Sequence, residues 1–175
     1  MVSVVYCRIH RGRNKFNNMR FFCLLALPFL LFTCAGEDAD KWGDLDLMKY
    51  NIPLTIAAPD SAKVVSTKLS IMQDVTVTSP ADRYAVQILA SQASTNDMAR
   101  LKAEQLELVR DNRYFSNIVR EEATGFLFEN KIDSTSLFGF RHIVYQGDRE
   151  FIFQNSFDGI FTLPEVEAMY KAVKK

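Results

Sequence analysis

The sequence predicts an α+β domain: a mainly antiparallel β-sheet flanked by helices, as an α/β/α sandwich. Short runs with apolar residues at every second position recur from about residue 50 onward. Polar turn residues separate these runs by only a few positions, which suits antiparallel neighbours rather than crossovers. Two stretches, beginning near residues 94 and 162, carry helix-start signals and helical apolar spacing instead. At 175 residues, 48% hydrophobic and 12% aromatic, the chain is sized for one packed domain, and its composition excludes a disordered one.

The first element precedes that domain. Residues 21–32 read FFCLLALPFLLF, an apolar run behind Arg20. A membrane-spanning helix takes about 20 apolar residues, so the run is too short to span. It fits the apolar core of a secretory signal better than a buried helix, since it has no amphipathic period and no cap. Residues 1–33 are therefore read as a signal peptide. Met19 opens a compact start, MRFFCLL, and translation is expected to begin there; an unusually long basic leader is the alternative. All 21 acidic residues follow residue 33, whereas Arg8, Arg11, Arg13, Lys15 and Arg20 precede it. The remainder is thus net acidic, which argues against nucleic acid as a partner.

The run closes on Leu31-Phe32-Thr33-Cys34-Ala35. This resembles the lipobox of bacterial lipoproteins, with Phe32 and Thr33 standing where that pattern prefers small residues. The resemblance implies cleavage before Cys34 and diacylation (palmitate or similar chains) of its thiol. It also implies a protein anchored to a membrane of the bacterial cell envelope, the outer membrane before the inner. A thiolate is the nucleophile such acyl transfer needs. Cys7 and Cys23 lie in the leader, so a chain cut before Cys34 has no internal disulfide to form. Residues 34–47 then read as an acidic tether, with five acids against Lys41. That acidity fits either a sorting signal for the cell surface or plain solubility.

The domain is expected over residues 48–175. Tyr50 to Ile56 alternates and meets a turn at Pro59-Asp60; residues 63–67 and 71–78 read as strands; Tyr84, Val86, Ile88 and Ala90 share one face of the next. Ser94-Thr95-Asn96-Asp97 begins a helix whose stripe is Met98, Leu101, Leu108 and Val109, with Arg100, Lys102, Glu104 and Glu107 outward. Strands follow over residues 115–120, 125–131, 137–146 and 150–157, the last two joined by the turn Gln146-Gly147-Asp148-Arg149. Thr162 caps a final helix, with Glu165 reaching back and Val166, Met169, Tyr170 and Val173 as its buried stripe. The opening YNIPLTIAAPDSAKV and the closing FDGIFTLPEVEAMYKAV resemble the Mog1/PsbP-like superfamily. Its α/β/α domains chiefly bind and assemble, and it shares no catalytic residue set to transfer.

No residue set for catalysis, cofactor binding or metal binding stands out. His142 is the single histidine after the leader and reads as a packed strand residue, since triad chemistry would need a nucleophile motif that is missing. Glu121 and Glu122, if extended, point to opposite faces and share no substrate. Asp148 and Glu150 flank Arg149, which is expected to hold both ionised. Phosphate-cradling glycine motifs do not occur. Phe126, Phe128, Phe138, Phe140, Phe151, Phe153 and Phe157 recur at even spacing. They read first as core beneath the helices and second as a partly open pocket for a lipid or other hydrophobic ligand. Glu129, Lys131, Arg141, Glu150 and Gln154 are then expected on the solvent face, available to a protein partner in the envelope. The function expected is a non-catalytic binding or assembly domain on a lipid anchor, with carriage of a hydrophobic ligand as the alternative.

Overall fold

The computed structural model describes residues 41–157 and 159–175. The leader, the Met19 start, the lipobox with Cys34 and the first part of the tether lie outside the described residues. Among the described residues the strands are β1 (Gly43–Asp46), β2 (Thr55–Ala58), β3 (Lys63–Leu69), β4 (Met72–Ser79), β5 (Tyr84–Gln92), β6 (Phe115–Glu122), β7 (Gly125–Ile132), β8 (Thr135–Gln146) and β9 (Arg149–Asn155). Two α-helices complete the set, α1 (Met98–Arg110) and α2 (Leu163–Ala172). Seven strands form one antiparallel sheet in the order β3-β4-β5-β9-β8-β7-β6, and β1 pairs with β2 as a separate ribbon. The fold is α+β, as the alternating runs predict. No described helix is long and apolar enough to cross a membrane.

Register decides which residues meet which helix. Leu127 pairs with Phe140, whereas its neighbour Phe126 pairs with Arg141, so the two sets occupy opposite faces. On one face, Val75, Val86, Ile88, Phe151, Phe153, Phe140 and Leu127 are buried against Val166, Met169 and Tyr170 of α2 and Ile56 of β2. On the other, Phe126 and Phe128 pack with Leu106 and Val109 of α1. One helix therefore covers part of each face, and the expected phenylalanine core is filled rather than hollow. Phe157 is the exception, 83% exposed beyond the end of β9.

Local chemistry explains the element ends. The Asp97 carboxylate accepts from the main-chain N–H of Ala99 (2.9 Å) and Arg100 (3.3 Å), capping α1. Thr162 and Glu165 form the expected capping box on α2, with the Thr162 N–H donating to Glu165 Oε2 at 2.7 Å. Arg83 also donates to Glu165 (2.8 Å) and, with that cap, holds the carboxyl down at about 2. The β8–β9 turn has just Gly147 and Asp148 at its centre, both with φ +59°, the backbone a tight hairpin requires. Gly125 is required for space: a Cβ there would lie 2.4 Å from the Arg141 carbonyl and 2.8 Å from the Tyr170 hydroxyl.

Several expectations need correction. Gly43–Asp46 is a strand rather than tether; Leu47 is fully buried and Trp42 packs edge-on against Tyr84, with ring centres 4.9 Å apart. Apolar Trp42, Leu45 and Leu47 outweigh the flanking acids, whose side chains point to water. The strand expected over Tyr50–Ile56 begins only at Thr55 and runs to Ala58, since Met48–Tyr50 form a 3-10 turn that Asn51 closes in a left-handed backbone. Leu108, expected in the buried stripe of α1, is 65% exposed. The residues expected on one solvent face are split. Glu129 and Lys131 share the face of Leu127, whereas Arg141, Glu150 and Gln154 share that of Phe126. Glu129 is buried while accepting from Ser136 and Asn117, and Gln154 is buried while donating to Gln87 (2.6 Å).

Candidate functional site

A groove arises where two strands part. β8 is 12 residues long, but β9 pairs with it only from Gln146 back to His142. Beyond that point β9 stays with β5, through Asn155 opposite Val86. The Phe140 N–H is served by the Asn155 side-chain oxygen at 3.2 Å instead of by a strand carbonyl. The chain then turns away through Ser156 and Phe157 toward α2. Between that departing segment, the Leu137–Arg141 part of β8 and the C-terminal turn of α1 lies a groove of about 320 Å³. Leu108, Phe157 and Ile160 are exposed around it, while Phe128 and Gly139 line it from the sheet. A Cβ at Gly139 would lie 2.5 Å from the Phe128 ring, so the ring occupies the space a side chain would have filled.

Two polar groups line the groove, Arg141, which is half-buried, and Asn130. Arg141 sits among apolar neighbours, its Nη1 donating to its own strand's Phe140 carbonyl at 3.0 Å. Its guanidinium stands 5.6 Å from the centre of the Phe128 ring, a cation–π arrangement. No carboxylate among the described residues forms an ion pair with it. Burial alone draws its pKa down from 12.5 to about 10, so it remains a cation at neutral pH. Asn130, also in the lining, has a buried side-chain oxygen with no hydrogen-bond partner. A mostly apolar cleft with a few convergent polar groups is the usual form of a small-molecule site. Alternation predicts Arg141 on the solvent face; within FGFRHIV, flanked by apolar residues, it is half-buried instead.

The other sequence-selected groups lie elsewhere. His142 is 7% exposed on the α2 side, near the rings of Phe153 (5.8 Å) and Tyr170 (6.0 Å). Burial, helped by Lys174, lowers its pKa from 6.5 to about 4, so the ring is neutral at pH 7. Unfolded chain therefore binds a proton that the fold refuses. Stability conferred by this group is complete above pH 6.5 and is lost as pH falls toward 4. Urea denaturation from pH 7 to 4 is expected to show that loss, and His142→Phe to remove this part of it. An identical slope in the variant would contradict the assignment.

Glu121 and Glu122 do point apart, as extended chain requires. Glu121 accepts from Lys102 of α1 at 2.9 Å, and Glu122 pairs with Lys174 beyond α2 and with Arg120. Lys102, expected to face outward, is consequently tied down. Arg149 holds neither neighbouring acid: it donates to the Asn51 carbonyl at 2.7 Å and stacks on Phe151, while Asp148 accepts from Tyr145 and Glu150 from Ser91. Among the described residues no cluster of three or more His, Cys, Asp or Glu side chains could hold a metal.

The remaining feature is an open half-sheet. On the α1 side, β3, β4 and β5 are not covered by either helix, and Val65 (64%), Leu69 (50%) and Ile71 (89%) are exposed along the outer strand and its hairpin. Asp74, Thr76 and Gln87 make that face polar through a ladder in which Thr76 (3.2 Å) and Gln87 (2.6 Å) both donate to Asp74. No family of known proteins, no curated protein and no solved structure matches this chain.

Proposed function

We propose that this protein is a membrane-anchored bacterial lipoprotein, held in the cell envelope, at the outer membrane, by acyl chains on Cys34. Its α+β domain, of Mog1/PsbP-like kind, acts without catalysis as a binding or assembly module for an envelope protein. The observation that supports the module reading most is the open half-sheet with its outer strand. Among the described residues β3 has no neighbour on its far side, and it presents Val65 and Leu69 beside Ile71. Exposed strand edges and apolar ridges are the features that added strands and partner surfaces use. Lys63 and Lys68 on the same strand would disfavour indiscriminate pairing.

The second reading, carriage of a lipid or other hydrophobic ligand, draws on a different observation, the groove beside Phe128. Native mass spectrometry of protein gently extracted from membranes separates the two. A stoichiometric protein companion is expected under the module reading. A stoichiometric small lipid with no protein companion would replace it with the carrier reading.

A further inference from the structure

The two outer strands of the seven-stranded sheet are built differently. β6 is blunted: its register against β7 shifts twice, between Phe115 and Asn117 and between Ile118 and Arg120. Its charged end is also tied down, since Arg120, Glu121 and Glu122 pair with Glu167, Lys102 and Lys174. β3 runs in unbroken register from Lys63 opposite Thr78 to Leu69 opposite Met72, with neither proline nor bulge. We propose that the edge of β3 receives an extended strand from another protein, which sets an acidic side chain opposite Lys68 and apolar side chains opposite Val65 and Leu69. This rests on the binding-module reading and adds how the partner attaches and what chemistry it carries.

A regular outer strand offers main-chain N–H and C=O groups on its free side, and an added strand satisfies them with the hydrogen bonds of the sheet itself. Side chains then set the choice of partner. Val65, Thr67 and Leu69 are exposed on one face of β3, and Ser66 and Lys68 on the other, so both faces of an added strand meet side chains to pair with. Apolar residues opposite Val65 and Leu69 remove those two from water.

Charge narrows the partner further. Residues 63–71 hold two cations, Lys63 and Lys68, and no acid. On the face of Lys68 the adjacent positions are Ser66 and, across on β4, Gln73, both uncharged. Asp74, opposite Thr67, already accepts from Thr76 and Gln87. Asp60 lies in the turn before Lys63, which centres the charge match on Lys68. A second copy of this chain would set two lysines against the same two along one seam, whereas an acid opposite Lys68 makes a cross-strand ion pair.

The test is fluorescence anisotropy of a labelled, terminally blocked peptide titrated with the full protein extracted from membranes in mild detergent. In antiparallel register the peptide sets isoleucine opposite Leu69, glutamate opposite Lys68 and valine opposite Val65, with threonine elsewhere. Saturable one-to-one binding is expected. Glutamine in place of the glutamate, or Lys68→Gln in the protein, is expected to weaken binding about two- to fivefold without altering the far-ultraviolet circular dichroism. N-methylation of the peptide amides that face β3 is expected to abolish binding, and methylation of the outward amides to leave it. Equal loss from the two methylations would overturn strand addition, and indifference to both glutamine changes would overturn the acidic assignment. Binding that appears only with Glu37→Gln, Asp38→Asn and Asp40→Asn would give the edge to the chain's own acidic stretch and overturn the proposal. A peptide that never binds, beside a stoichiometric protein companion in the native mass spectrum, overturns this inference and leaves the module reading standing. Absence of both removes both.

Discussion

Cys34→Ser is expected to move the protein from the membrane fraction to the soluble one, or to leave it uncleaved with its leader attached. Each buried methylene contributes about 0.8 kcal/mol, and one acyl chain alone gives only marginal attachment. Two or three chains on one residue would hold a water-facing domain firmly without a spanning helix. Cys34 precedes β1 (Gly43–Asp46) in the chain, so the serine variant is expected to keep the circular dichroism and unfolding midpoint of the parent domain. Fractionation by high-speed centrifugation with immunoblotting checks the result. A serine variant that remains membrane-bound and correctly cleaved would mean that something other than acylation holds the protein.

Phe140→Ala is expected to be among the most destabilising single changes in the domain, at about 3–5 kcal/mol. Phe140 is completely buried and meets the Tyr170 ring edge-on, with ring centres 5.7 Å apart, so it joins the middle of β8 to α2. Truncation removes that contact and leaves a cavity beside Leu127 of β7, the strand that holds Phe140 in register. Against a typical total stability of about 5–15 kcal/mol, such a loss takes about a fifth or more. Ile71→Ala, by contrast, alters a residue 89% exposed and is expected to change stability by no more than about 0.5 kcal/mol. Urea denaturation of the two variants side by side measures the difference. A Phe140→Ala cost near that of Ile71→Ala would contradict the core described here.

Much of the fold is legible in the sequence because one residue property controls each element. Alternation in Tyr84, Val86, Ile88 and Ala90 reports a face packed on one side, and the two-residue turn at Gly147-Asp148 is declared by residues that tolerate positive φ. Capping is equally local: Asp97 and the Thr162–Glu165 pair mark both helix starts within four residues. What escapes the sequence is long-range. Period-two spacing shows that Phe126 and Phe128 share a face but not that this face opposes that of Phe140; the register of β7 against β8 settles that. Strand β1 hides in an acidic stretch because Trp42, just before it, finds its cover in Tyr84, distant in sequence. The groove depends on β9 leaving β8 after Phe153, a divergence that no local composition announces. Arg141 and Leu108 obey their local periods, but the burial of each depends on neighbours distant in sequence.

The intact mass of the wild-type protein extracted from membranes is the most direct measurement of the anchored, envelope-facing arrangement proposed here. The expected species begins at Cys34, carries the added mass of attached acyl chains, and loses ester-linked chains under mild alkaline hydrolysis. A species that begins at another residue with an unmodified thiol, or with no cysteine, and that fractionates as soluble would contradict it.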